Sequence, residues 1–287
     1  MKLVRFGVPG EERPGVIDGD GRIRDLSGHV EDIALDALSD ENLRRLAALD
    51  AASLPLAPAN VRIGPCVGWV GKMICVGLNY SDHAAESNMA VPTEPVLFMK
   101  ATSAIVGPDD DVEIPPGAEK VDWEVELGVV IGREARYVSR ECALEYVAGY
   151  CVVNDVSERA YQLERGGQWD KGKGCDTFGP LGPWLVTRDE VPDPQSLRLW
   201  LEVDGKRYQD GSTRTMIFDV ATLVSYISQF MSLQPGDVIS TGTPPGVGLG
   251  QKPEPVFLRA GQTMRLGIDR LGEQQQRTVA ARIPEAR

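Results

Sequence analysis

Three carboxylates carry the clearest chemical signal in this chain: Glu124 and Glu126 in VDWEVELGVV, and Asp155 at the end of AGYCVVND. Side chains alternate between the faces of a strand, so Trp123, Val125, Leu127 and Val129 share one face while Asp122, Glu124 and Glu126 project from the other. Taken alone, an E-x-E of this kind reads as a solvated strand face. Asp155 adds weight because it stands where an apolar run passes into the polar, helical SERAYQLERGG, and strand termini are where sites are often built. Three carboxylates brought together would repel one another, and burying them uncompensated would cost several kcal/mol or more each. A cation resolves the repulsion. All-oxygen ligation suits Mg²⁺, Mn²⁺ or Ca²⁺, whereas two histidines and no paired-thiolate spacing argue against zinc.

The two histidines differ in setting. His29 lies in RDLSGHVEDIALD and reads as structural or exposed. His83 follows the apolar MICVG at the start of an expected helix with Ser81 as its cap, and Glu86 stands one helical turn on, where a carboxylate can orient an imidazole. Such a pair could take a proton from water and later return it to a leaving group; a plain surface His–Glu pair is the alternative. Lys171 and Lys173 sit in the glycine-dense GGQWDKGKGCDTFGPLGPW, which reads as a connector or as a lid over a site. DVISTGTPPGVGLG could hold a carboxylate through N–H and Thr contacts, but it lacks the phosphate-binding GxxxxGK[ST], and no dinucleotide motif is present.

The elements that must position these groups are short strands such as KMICVGLN, DWEVELGVVIG, AGYCVVND, LRLWLEVDG and DVISTG, separated by Gly/Pro turns. They predict a strand-rich α+β fold. Short helices are expected at about 81–89, 139–146, 156–164 and 218–231, the last with Val220, Leu223, Val224, Ile227 and Met231 on one core-facing stripe. Residues 1–70 read as a small N-terminal module and linker, and residues 71–287 as the catalytic domain. A formal charge of -12 with no dense basic run excludes a nucleic-acid binder. No apolar run nears the roughly 20 residues that span a bilayer, and charge and proline interrupt the N-terminus, so a cytoplasmic location is expected. Cys66, Cys75, Cys142, Cys151 and Cys175 are odd in number, form no CxxC pair, and read as buried free thiols.

Taken in order, NYSDHAAES, FMKATSAIVGP, DWEVELGVVIG, NDVSER, WDKGKGCDTFGPLGPW and SLQPGDVISTGTPPGVG resemble the fumarylacetoacetate hydrolase family over about residues 71–270. The resemblance implies a mixed β-roll, as a rule in a homodimer, preceded here by the small module that many bacterial members carry. It implies Glu124, Glu126 and Asp155 as Mg²⁺ ligands, His83 and Glu86 as the water-activating dyad, and Lys173 as the lysine that polarises or protonates the reacting group. It further implies Arg159, Gln162, Lys100 and Thr243 around the substrate. At one point the chain departs from the pattern: Ala101 follows Lys100 where many members have proline.

The implied reaction is hydrolysis of the C3–C4 bond of a 2,4-diketo acid to pyruvate and a carboxylic acid. A divalent ion would stabilise the departing enolate, and His83 with Glu86 would activate water. Among bacterial relatives the chain looks most like 2,4-diketo-3-deoxy-L-fuconate or L-rhamnonate hydrolases, which release pyruvate and lactate in sugar-acid breakdown. An acylpyruvate hydrolase and an oxaloacetate decarboxylase are rival readings on the same scaffold, and a non-catalytic small-molecule-binding relative is a rival of another class.

Overall fold

A computed structural model describes residues 1–82 and 92–283. Its centre is the antiparallel pair Val125–Ile131 and Val147–Asn154, in register at Leu127 with Val152 and Glu126 with Val153. Every residue of both strands is buried. Such valine-rich, mostly apolar runs suit strands covered on both faces.

Outward from this pair, Gly179–Thr187 adds antiparallel on one side, followed by the N-terminal strands Lys2–Phe6, Arg13–Ile17 and Ile23–Asp25. On the other side Val238–Ser240 adds antiparallel, Met73–Gly77 runs parallel to it, and Val96–Lys100 closes the edge. The N-terminal segment therefore extends the main sheet, with Leu3 opposite Leu185. A second sheet is built from Lys206–Ser212, Arg198–Val203, Thr263–Ile268, Gly272–Ala280 and Val112–Ile114.

The period of two sorts each central strand between two cores. Val125, Leu127, Val129, Ile74 and Val76 pack with Leu199, Leu201, Met264 and Leu266 of the second sheet. Val130, Val153, Met73, Cys75 and Cys151 pack with Leu3, Leu38 and Leu43 of the N-terminal segment and with Leu185 of the Gly179–Thr187 strand. The acids Glu124 and Glu126 project opposite the first core, as the alternation predicts.

The strand-rich α+β class expected from the sequence is the one observed. The helices are shorter than expected. Val220–Ile227 begins at Asp219, whose carboxylate accepts from Thr222 N at 2.8 Å, and ends before Met231. Only a 3₁₀ turn, Ala143–Tyr146, stands in the 139–146 stretch. In 156–164, Ser157–Glu158 first pairs with Val121–Asp122, so the helix covers only Arg159–Leu163, its first turn capped by the Glu158 carboxylate. Ser81 and Asp82 are helical, and the remainder of that expected helix, with His83 and Glu86, lies outside the described residues. Cys66, Cys75 and Cys151 are buried as expected, but Cys142 is exposed and Cys175 partly so, because both lie in turns rather than in strands. No helix among the described residues is long and apolar enough to cross a membrane.

Candidate active site

Glu124 occupies the two-residue break between the Val121–Asp122 and Val125–Ile131 strands, one step beyond the last ladder pair, Val125 with Asn154. Its backbone continues that pairing: Glu124 N donates to Asn154 Oδ1 at 3.3 Å, and Asp155 N donates to Glu124 O at 2.9 Å. These bonds bring Glu124 beside Asp155, while the strand period brings Glu126 to the same face. One carboxylate oxygen from each of Glu124, Glu126 and Asp155 lies within 4.8 Å of the other two. All three side chains are buried, which rules out the solvated strand face.

Buried carboxylates need compensation, and each finds a different kind. Arg159 donates to Glu124 Oε1 at 2.6 Å, and Lys173 lies 2.5 Å from Glu124 Oε2 and 2.8 Å from Asp155 Oδ2. Burial alone would raise the Glu124 pKa, but the two cations outweigh it and hold it at about 2. Burial works against the Lys173 cation too, and here Asp155 and Glu124 outweigh it, pushing its pKa up. Lys173 is therefore a cation at neutral pH.

Among the described residues no cation forms an ion pair with Glu126, although the Lys173 charge acts on it from farther off. Its Oε2 accepts from Ser240 Oγ at 2.6 Å and Gly242 N at 2.9 Å, and its Oε1 accepts from none of the described residues. Burial, reinforced by the charges of Asp155 and Glu124, raises its pKa well above the usual carboxylate range. The segment after Val238 thus holds a carboxylate, one of the protein's own, through Gly242 N–H and the Ser240 hydroxyl; the expected Thr contacts do not form, because Thr241 and Thr243 donate to the Leu127 and Val125 carbonyls. Gly242 makes this possible with a φ of 96°, a region costly for residues bearing a Cβ.

The residues present fit a divalent cation. Three oxygen donors converge, Glu126 Oε1 is unclaimed, and buried Asp155 Oδ1 receives no aligned hydrogen bond although Lys100 Nζ lies 2.7 Å away. The donor set is all carboxylate, the chemistry of Mg²⁺, Mn²⁺ and Ca²⁺.

Glu124 and Glu126 line a cavity of about 350 Å³, whereas Asp155 does not. Arg159, Gln162, Lys173 and Thr243 line it, and Lys100 does not. Lys100 is fully covered, its amino group donating to the carbonyls of Val156 and Lys173 beside its contact with Asp155. Thr243 faces the cavity, but its hydroxyl donates to Val125 O at 2.9 Å and accepts from Gln209 at 2.8 Å. The amide Oε1 of Gln162 accepts from Arg159 at 3.0 Å, while its Nε2 has no partner among the described residues. Lys171 turns away, donating to Arg165 O at 2.7 Å.

Lys173 reaches the cluster because Asp170–Lys173 forms a helical turn packed on Arg159–Leu163. Gly172 permits the contact, since a Cβ there would lie 2.3 Å from Glu158 O. The rest of the lining is largely apolar: Phe98 and Trp169 meet edge to face at 5.3 Å, and Val76, Leu163, Val247 and Leu249 join them, with Lys252 as a further polar residue. Single-sequence reading missed these wall residues. Apart from the glycine-dense loop around Trp169, nothing in their types or spacing sets them apart from ordinary core or surface positions.

Residues 72–279 match the fumarylacetoacetate (FAA) hydrolase C-terminal family, and the chain belongs to that family. A provisionally named hydrolase of Burkholderia multivorans is 69% identical over 98% of this chain and 100% of its own length. Among solved structures, a fumarylacetoacetate hydrolase from Exiguobacterium antarcticum is 38% identical, with a TM-score of 0.86 over 98% of this chain and 100% of that one. Maleylpyruvate hydrolase from Sphingobium sp. SYK-6, in complex with manganese (II) ion and pyruvate, is 33% identical, with a TM-score of 0.81 over the same shares. A 2-hydroxyhepta-2,4-diene-1,7-dioate isomerase from Mycobacterium marinum is 34% identical, with a TM-score of 0.75 over 98% of each chain. These likenesses agree with the mixed-sheet fold and define an enzyme scaffold that carries hydrolases and an isomerase.

Proposed function

We propose that the chain hydrolyses the C3–C4 bond of a 2,4-diketo acid, releasing pyruvate and a carboxylic acid, with Glu124, Glu126 and Asp155 holding a divalent ion. The observation that carries this reading is the buried cluster of three carboxylates, with Glu124 and Glu126 lining a cavity and cationic Lys173 against Glu124 and Asp155. Mg²⁺ is the proposed ion, with Mn²⁺ or Ca²⁺ as substitutes. Bound there, it would supply Lewis-acid stabilisation of negative charge developing on the pyruvate half.

The chain's own residues supply the rest. Asp122, Glu124, Glu126 and Asp155 face Lys100, Arg159 and Lys173, so four acids and three bases leave one excess negative charge when all are ionised. A divalent ion turns that excess positive by one, which a monocarboxylate substrate balances. Lys173, held charged, stabilises the oxyanion formed as the bond breaks or donates a proton to it. In this reading His83, oriented by Glu86, takes a proton from the water that attacks C4 and returns it to the leaving carbon. Arg159 and Gln162 present their remaining N–H groups to the substrate.

For the tail beyond C4 we propose the 1-hydroxyethyl group of 2,4-diketo-3-deoxy-L-rhamnonate or L-fuconate. Such a tail has one hydroxyl and one methyl. The Gln162 Nε2 group, without a partner among the described residues, can meet the first, and the Val247, Leu249 and Trp169 wall the second. The test is pyruvate release across 2,4-diketo-3-deoxy sugar acids, acylpyruvates and oxaloacetate. Turnover of the sugar acids with the highest kcat/KM supports the reading; preference for longer acylpyruvates would replace the tail assignment, and exclusive turnover of oxaloacetate would replace hydrolysis with decarboxylation.

A further inference from the structure

Asp122 is fully buried two residues before Glu124, and both its oxygens are occupied. Its Oδ1 accepts from Trp123 N at 2.8 Å and Gly248 N at 2.6 Å; its Oδ2 accepts from Leu249 N at 3.0 Å and Arg159 Nε at 2.8 Å. Trp123 Nε1 adds a bond to Gly246 O at 3.1 Å. The loop caught by these bonds forms one wall of the cavity through Val247, Leu249, Gly250 and Lys252. The same Arg159 whose Nε meets Asp122 grips Glu124 Oε1 through its other branch at 2.6 Å. A continuous charged chain therefore runs from the cavity loop through Asp122 and Arg159 to a carboxylate of the candidate metal cluster.

We infer that Asp122 is a positioning residue that couples the order of the 246–252 loop to ion binding at Glu124. This rests on the metal reading of the Glu124, Glu126 and Asp155 cluster. The planar guanidinium is a rigid fork, so Glu124 cannot shift without moving the arginine, and Asp122 cannot follow it without releasing the Gly248 and Leu249 amides. Coupling of this kind is reciprocal: an ion that fixes Glu124 tightens the loop, and loosening the loop weakens the ion. The wall that meets the substrate's tail is thereby held more firmly when the charged end of the site is filled.

The test follows Mn²⁺ binding to the full chain by electron paramagnetic resonance, alongside amide hydrogen exchange in peptides covering residues 246–252. Adding Mn²⁺ to the unaltered protein should slow exchange at Gly248 and Leu249. In Asp122→Asn the new amide sets N–H groups against Leu249 N–H or Arg159, so Mn²⁺ affinity should fall by about 10- to 100-fold, the usual effect of losing a group that supports a metal ligand. Combining it with Arg159→Lys should lower the affinity no further than the stronger single change. Mn²⁺ binding with unchanged exchange at both amides overturns the coupling, as does a folded Asp122→Asn with unchanged affinity. If the unaltered chain binds no Mn²⁺, the metal reading itself falls and the coupling with it. The exchange measurement uses the native sequence, so it decides the matter even if Asp122→Asn does not fold.

Discussion

Replacing Lys100 with methionine separates two roles for a residue that resemblance places at the substrate and the structure places behind it. The Lys100 side chain is completely covered and lies 2.7 Å from Asp155 Oδ1. Methionine keeps most of the volume and removes the charge, leaving the Val156 and Lys173 carbonyls without their donor. Breaking a buried ion pair from one side costs about 3–5 kcal/mol. Each kcal/mol moves Tm by about 2–4 °C in a domain of roughly this size, so Lys100→Met should lower Tm by roughly 10 °C. Asp155 then keeps only Lys173 as a cation, and a divalent ion can take over the compensation that Lys100 supplied, so the Mn²⁺-induced rise in Tm should be at least as large as in the unaltered protein. Differential scanning calorimetry with and without Mn²⁺ measures both. A drop under about 2 °C together with a several-fold rise in KM would refute the reasoning, because it would mean the amino group serves substrate and not Asp155.

Other consequences are open to test. Glu126→Gln and Asp155→Asn should each weaken Mn²⁺ binding at least about 10-fold in isothermal titration while the far-ultraviolet circular dichroism stays native, since each removes a charged ligand. Thr243→Val should lower stability by about 1–3 kcal/mol in urea unfolding with little change in KM, because its hydroxyl serves Val125 O and Gln209. Asp18 accepts from the Arg22 backbone and from the Arg24 guanidinium, which together hold its carboxyl far below the usual range. A depressed folded-state pKa contributes stability that is present above the unfolded value near 3.9 and is lost as the pH falls toward the folded one. Asp18→Asn should therefore destabilise at pH 7, and the gap to the unaltered protein should narrow in urea titrations below about pH 4.

The face of the acids was legible in the alternation of Trp123, Val125, Leu127 and Val129 because side-chain direction follows the strand period. Whether that face was wet or dry was not, since the Arg159–Leu163 and Asp170–Lys173 turns that cover it come from elsewhere in the chain. The carboxylate-holding segment after Val238 was readable in part from its hydroxyls and glycines, but its partner, Glu126, is a contact of separation 116 that no local pattern encodes. The 139–146 segment carried a helical pattern yet gives only a 3₁₀ turn, because the chain enters the central strand at Val147. Likewise Lys100 and Thr243 have the residue types of substrate contacts, and only their hydrogen bonds show that the backbone and Asp155 claim them.

The central claim is tested most directly by pyruvate release from a 2,4-diketo-3-deoxy sugar acid before and after EDTA, with Mg²⁺ or Mn²⁺ then restored. The account predicts that chelation abolishes turnover, that either ion restores it, and that Glu126→Gln is not restored at the same ion concentration. Turnover that continues undiminished in EDTA-treated protein shown to be free of divalent metal would contradict it.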